Sequence, residues 1–105
     1  LHQHNILFTP AGGGWQLAGI LDFDSVYAGH RESDLARLDL WRGMTSPRFW
    51  SAYRAAHDLD SGYPERRPVH QLLWCLEYAQ PTPEHRADTA RVCRELGIPP
   101  VTSFE

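Results

Sequence analysis

The chain has 105 residues, enough for one domain with a hydrophobic core of its own. Hydrophobic residues make up 42% and charged ones 22%, a globular balance that excludes a disordered tail. The formal charge is −3, all ten basic residues are Arg and Lys is absent; this argues against a nucleic-acid partner and excludes a complete Walker A loop, which needs Gly-Lys-Ser/Thr.

No apolar run approaches ~18 residues, so no membrane partner is expected. No secretory signal is visible either, and the expected location is cytoplasmic. Leu1 is not an initiator Met, and apolar residues begin almost at once, so the chain is expected to start inside a longer protein. Cys75 and Cys93 stand 18 residues apart in helical patterns and form no C-x-x-C pair. They read as buried thiols in a reducing compartment rather than as a disulfide.

Residues 5–9 read as a short strand carrying Ile6, Leu7 and Phe8. Residues 10–14, Pro-Ala-Gly-Gly-Gly, form a five-residue turn and not a phosphate cradle. Residues 15–21 return as a second, antiparallel strand. With Thr9 facing Trp15, Asn5 falls near Gly19 and Asp22 lies about three residues further. Asn5 and Asp22 then flank one opening. Asp24 shares the face of Asp22 if the chain stays extended.

The remainder is helical. Ser33 is placed to cap a helix running to about Arg42, with Leu35, Leu38 and Trp41 on one face and Gly43 ending it. Ser46-Pro47 opens a second helix carrying Phe49, Trp50, Tyr53 and Ala56. Residues 58–63 form a loop. Pro64 opens a longer helix in which Val69, Leu72, Leu73 and Leu76 keep the 3.6 period. Thr82-Pro83 opens a fourth, with Ala87, Ala90, Cys93 and Leu96 as its face and Gly97 and Pro99-Pro100 as its stop. The fold class is α+β: an N-terminal β-hairpin followed by four helices, mostly helical.

The chemistry concentrates in Gly19-Ile20-Leu21-Asp22-Phe23-Asp24 and the following Gly29-His30-Arg31-Glu32-Ser33-Asp34-Leu35-Ala36. Carboxylates just beyond a buried strand suit a hard cation such as Mg²⁺, which takes oxygen ligands and commonly only one or two carboxylates. The same acids could equally cap a turn. Asp34 at a helix start is favourable through the dipole alone.

Taken together, Leu1-His2-Gln3-His4-Asn5, the hairpin, Ile20-Leu21-Asp22-Phe23-Asp24, Gly29-His30 and Asp34-Leu35-Ala36 resemble the C-terminal lobe of the aminoglycoside-phosphotransferase and fructosamine-kinase family, which shares the protein-kinase fold. The family's catalytic loop runs His-Gly-Asp-Leu-His-x-x-Asn and its metal motif is Ile-Asp-[Phe/Trp]. The resemblance implies that Asn5 and Asp22 ligate a nucleotide-bound Mg²⁺; Asp24 is a further metal-ligand candidate as the second of the paired carboxylates, a position at which many relatives carry another residue. It implies that Asp34 supports the catalytic loop by accepting backbone N–H bonds. Gly29-His30-Arg31-Glu32 is closer to the Gly-His-x-Glu of fructosamine kinases than to the Gly-Asp-Pro of many aminoglycoside kinases.

On this resemblance, residues 1–105 are a partial C-terminal lobe, with the loop end, hairpin and metal motif in 1–24 and a helical subdomain in 25–105. The catalytic Asp would precede Leu1. The Gly-rich loop and the nucleotide Lys belong to an N-terminal lobe, so this chain alone is expected to be inert. The implied activity is ATP-dependent phosphoryl transfer to a small aminoglycoside- or ketosamine-like molecule, with Mg²⁺ and ATP as cofactors. The rival reading is a non-catalytic, truncated helical module that dimerises or binds a partner such as the missing N-lobe polypeptide.

The other candidates have plainer readings. His2-Gln3-His4 lacks further ligands at a spacing that would complete a Zn²⁺ site. His30, His57, His70 and His85 read as surface or capping residues, and Phe49, Trp50 and Tyr53 as core. Glu77, Arg66-Arg67, Arg86, Arg91 and Arg94 read as solvated helix faces.

Overall fold

The computed structural model describes residues 3–23, 28–41 and 44–99. A 3₁₀ turn, Gln3–Asn5, leads into strand β1, Ile6–Ala11, which pairs antiparallel with β2, Gly14–Ile20. Four helices follow: α1, Arg31–Leu40; α2, Pro47–Ala56; α3, Tyr63–Glu77; and α4, Pro83–Glu95. This is the expected α+β arrangement of one hairpin and four helices. No described helix is long and apolar enough to cross a membrane.

The chain divides into two compact units, Leu1–His30 and Arg31–Glu105. In the first, the turn is tighter than expected. Ala11 pairs with Gly14, leaving Gly12 and Gly13 as a two-residue loop with φ of 56° and 82°. Two successive positive φ values define the turn whose twist matches paired strands, and glycine adopts them without a Cβ clash. Pro10 therefore belongs to β1, opposite Trp15, rather than to the turn, and an edge strand is where a missing N–H is tolerated. A bulge between Leu7 and Phe8 leaves Ala18 as the extra residue, since Leu7 pairs with Gly19 and Phe8 with Leu17.

The helical unit has two neighbouring clusters of buried residues. Leu35, Ala36 and Tyr63 form one, with Phe49, Trp50, Tyr53 and Leu59 packed against it. Leu40, Cys75 and Val92 form the other, with Trp41, Leu72 and Leu96 alongside. The α2 aromatics thus serve the core as expected. Ser46 caps α2 by accepting from the Phe49 N–H at 3.1 Å, and Thr82 caps α4 by accepting from the His85 N–H at 3.2 Å. The α4 stop is a Schellman motif: Ile98 N–H reaches Cys93 O at 2.9 Å, Gly97 N–H reaches Arg94 O at 3.1 Å, and Gly97 has φ 70°. Both cysteines are free thiols, Cys75 buried and Cys93 half-buried.

Three expectations need correction. Helix α1 starts at Arg31, so Ser33 lies inside it and does not cap it; its carbonyl instead accepts from Trp74 Nε1 at 3.3 Å. The predicted stop at Arg42 and Gly43 lies outside the described residues. The buried face of α3 is Tyr63, Pro68, Gln71 and Cys75, while Val69, Leu73 and Leu76 are exposed. Gln71 can point inward because its Nε2 donates to Ala36 O at 3.0 Å across to α1. Helix α4 buries Val92, with His85, Thr89 and Leu96 half-buried, and exposes Ala87 and Ala90.

Candidate functional site

The hairpin brings Asn5 and Asp22 together more closely than the sequence suggests. Thr9 pairs with Gln16 rather than Trp15, and the bulge adds one further residue of shift. As a result the Leu21 N–H donates to Asn5 O at 2.7 Å. Asn5 therefore stands opposite Leu21, and Asp22 is the next residue along. A bulge beside a site is a common means of re-aiming a strand end.

At Asp22 the backbone leaves the extended region, with φ 62°. It is the one non-glycine in the left-handed region among the described residues. Asp tolerates that region better than most residues, at a cost of roughly 1–2 kcal/mol. The alternation that would put Asp24 on the face of Asp22 assumed an extended chain, and the turn at Asp22 removes that premise. Asp24 itself lies outside the described residues, as does His2.

An amide oxygen and a carboxylate at one hairpin end are hard oxygen donors of the kind Mg²⁺ accepts, with open positions left for phosphate oxygens and water. Asp22 is exposed and Asn5 half-buried, which leaves this end accessible. Among the described residues no group of three or more His, Cys, Asp or Glu could hold a metal by itself. The donor set fits a cation shared with a bound nucleotide rather than a closed structural site.

In the helical unit, Asp34 is an exposed residue in the first turn of α1 and lies close enough to Arg37 to act on its charge. Arg37 stacks its guanidinium 3.9 Å from the Trp74 ring centre, 4.8 Å from Trp41 and 5.4 Å from Tyr78. Burial pulls the Arg37 pKa down, and Tyr78, Asp34 and Glu77 oppose that pull. Glu77 is exposed, as expected.

The group that the sequence did not flag is Glu32. Its carboxylate is buried and accepts both Nη2 and Nε of Arg66, at 2.8 and 3.0 Å. His70 Nε2 stands 3.4 Å from the same carboxylate, and Asp60 lies 3.1 Å from Arg66. The hydrogen bond to Glu32, followed by that to Asp60, pushes the Arg66 pKa further up. Arg67 reaches Asp39 at 3.3 Å and Glu95 at 3.5 Å. Arg66 and Arg67 thus tie helices together, although the Arg66 side chain also stays partly in solvent. Arg91 also pairs, with Asp88 and Glu95, and donates to Leu40 O. His85 joins α4 to α3 through its ring contact with Cys75 O at 2.9 Å. The signal available for Glu32 was the Gly-His-x-Glu spacing, which marks a constrained carboxylate without saying what it pairs with.

The fructosamine kinase family model matches residues 1–94, and the chain belongs to that family. It is 33% identical over 66 residues to the Probable ketoamine kinase of Pasteurella multocida, covering 62% of this chain and 22% of that protein. It is 35% identical over 74 residues to the Probable ketoamine kinase of Vibrio cholerae, covering 70% of this chain and 25% of that protein. The matched segment thus spans about a quarter of the length of these relatives. No solved structure matches the chain significantly.

Proposed function

We propose that this chain is the C-lobe portion of a cytoplasmic, ATP-dependent small-molecule kinase. It would transfer the γ-phosphoryl group to a hydroxyl of a ketosamine-like acceptor, the class suggested by the names of the family and relatives. An aminoglycoside is the alternative acceptor. In this reading the hairpin end holds the ion, through the Asn5 side-chain oxygen and the Asp22 carboxylate, with Asp24 as a further ligand. Mg²⁺ bound with the nucleotide would offset charge developing on the transferred phosphoryl group.

Asp34 steadies the catalytic loop by accepting backbone N–H bonds, and the general base is an Asp preceding Leu1. Positioning and electrostatics carry most of such a reaction, so the chain alone is inert and gains activity only with the rest of the fold. The observation that supports the reading most is the Asn5–Leu21 backbone bond, which sets residue 5 one position away from Asp22 across the hairpin.

The test uses residues 1–94 grafted in place of their counterpart in the Vibrio cholerae relative, assayed for phosphate transfer from ATP to fructosyl-lysine. Asp22→Asn keeps a residue that tolerates the left-handed turn while removing the charge. Turnover is expected to fall by roughly a hundredfold or more, the scale of losing one electrostatic contact to the transition state. Near-normal turnover would sink the assignment.

A further inference from the structure

Helix α3 commits one face and leaves another bare. Pro68, Gln71 and Cys75 are buried within the helical unit, where α3 packs against α1 and α4. Val69, Leu73 and Leu76 are 49%, 59% and 64% exposed. Their spacing of four and three residues sets them in one row along the helix. A single exposed Leu needs no explanation, but a row of three branched aliphatics at helical spacing is the form of a surface that receives another helix.

The size of the relatives says where that helix comes from. The matched segments cover 22% and 25% of two ketoamine kinases, so roughly three residues lie elsewhere in those folds for each one here. That remainder is available to pack on this segment, and the inward faces of α3 are already taken. The hairpin edges offer backbone pairing, which suits a strand. The α3 row offers only side chains and suits a helix ridge.

We propose that Val69, Leu73 and Leu76 are the seat of an amphipathic helix from the part of the fructosamine-kinase fold that the matched segment does not cover. The inference rests on family membership and not on the metal site, so its test reads stability rather than activity.

Thermal midpoints are compared for the 105-residue chain and for the same Vibrio cholerae graft, each with Leu73→Ala and with the double change Leu73→Lys, Leu76→Lys. The chain alone is expected to hold its midpoint within about a degree, because Leu, Ala and Lys have similar helix propensity and the side chains are already in water. In the graft, Leu73→Ala is expected to lower the midpoint by roughly 5 °C or more, and the double change further. Neutral substitutions in the graft would overturn the proposal. So would equal losses in chain and graft, which would place the row inside this segment's own core. A chain that dimerises on sedimentation, and no longer does so with the double change while the graft is indifferent, would assign the row to a second copy and also overturn it.

Discussion

The Glu32 carboxylate, 1% exposed, receives both arms of the Arg66 guanidinium, which joins the first turn of α1 to the first turns of α3. A buried carboxylate held this way depends on its partner, because removing the guanidinium leaves the charge with weaker compensation. His70 is close enough to offer some. Arg66→Ala should therefore lower the thermal midpoint by several degrees. Arg66→Lys should recover only part of the loss, since an ammonium cannot match both oxygens in one plane. Melting curves of the two variants check this; an Arg66→Ala midpoint equal to that of the parent would show that the pair is dispensable.

Tyr63 gives a pH dependence with a definite sign. Burial, with Asp39 adding to it, pushes its phenol up to about 12 from an ordinary value near 10. Between those two values the unfolded chain has lost the proton and the folded chain has kept it, so stability must fall as pH rises from about 10 to about 12. The Tyr63 hydroxyl is buried and has no hydrogen-bond partner among the described residues. Tyr63→Phe should thus leave neutral-pH stability unchanged or raise it by about 1 kcal/mol, and should flatten the alkaline slope. Urea midpoints measured across that range decide the matter.

The two thiols should differ in reactivity. Cys75 is 2% exposed and burial pushes its thiol pKa up, so little thiolate is available there. Cys93 is half-buried. An aromatic disulfide reagent at neutral pH should titrate Cys93 alone in the folded chain and both thiols after denaturation. Rapid reaction of both in the native state would contradict the packing of Cys75 against Leu40 and Val92.

Asp22 should report its backbone separately from its charge. Asp22→Gly relieves the left-handed conformation and should hold or raise stability, whereas Asp22→Ala should lose about 1 kcal/mol. Asp22→Asn should stay near the parent. Equal stability for the glycine and alanine variants in denaturant melts would mean that the turn carries no strain.

Much of the fold was legible because its signals are local. Ser46-Pro47 and Thr82-Pro83 mark helix starts through a side-chain acceptor and a missing N–H, and Gly97 marks a stop through its φ. What was not legible depends on tertiary partners. Periodicity picks out Val69, Leu72, Leu73 and Leu76 on α3, whereas the inward face carries Pro68, Gln71 and Cys75, an answer that rests on Gln71 finding Ala36 O. The bulge at Ala18 leaves no signature in residues 5–21, yet it sets where Asn5 meets the second strand. Arg66 and Arg67 look like a solvated pair until Glu32 and Asp39 are found across from them. For the site, the residue types and their motif spacing were readable, while the turn at Asp22 required the backbone.

The central claim is that Asn5 and Asp22 hold one Mg²⁺ together. The most direct measurement is the Mg²⁺ concentration giving half-maximal phosphate transfer by the graft, compared between the parent and Asn5→Ala. The account predicts a requirement raised by roughly tenfold or more, with the thermal midpoint little changed. An unaltered Mg²⁺ requirement at unaltered turnover would contradict it.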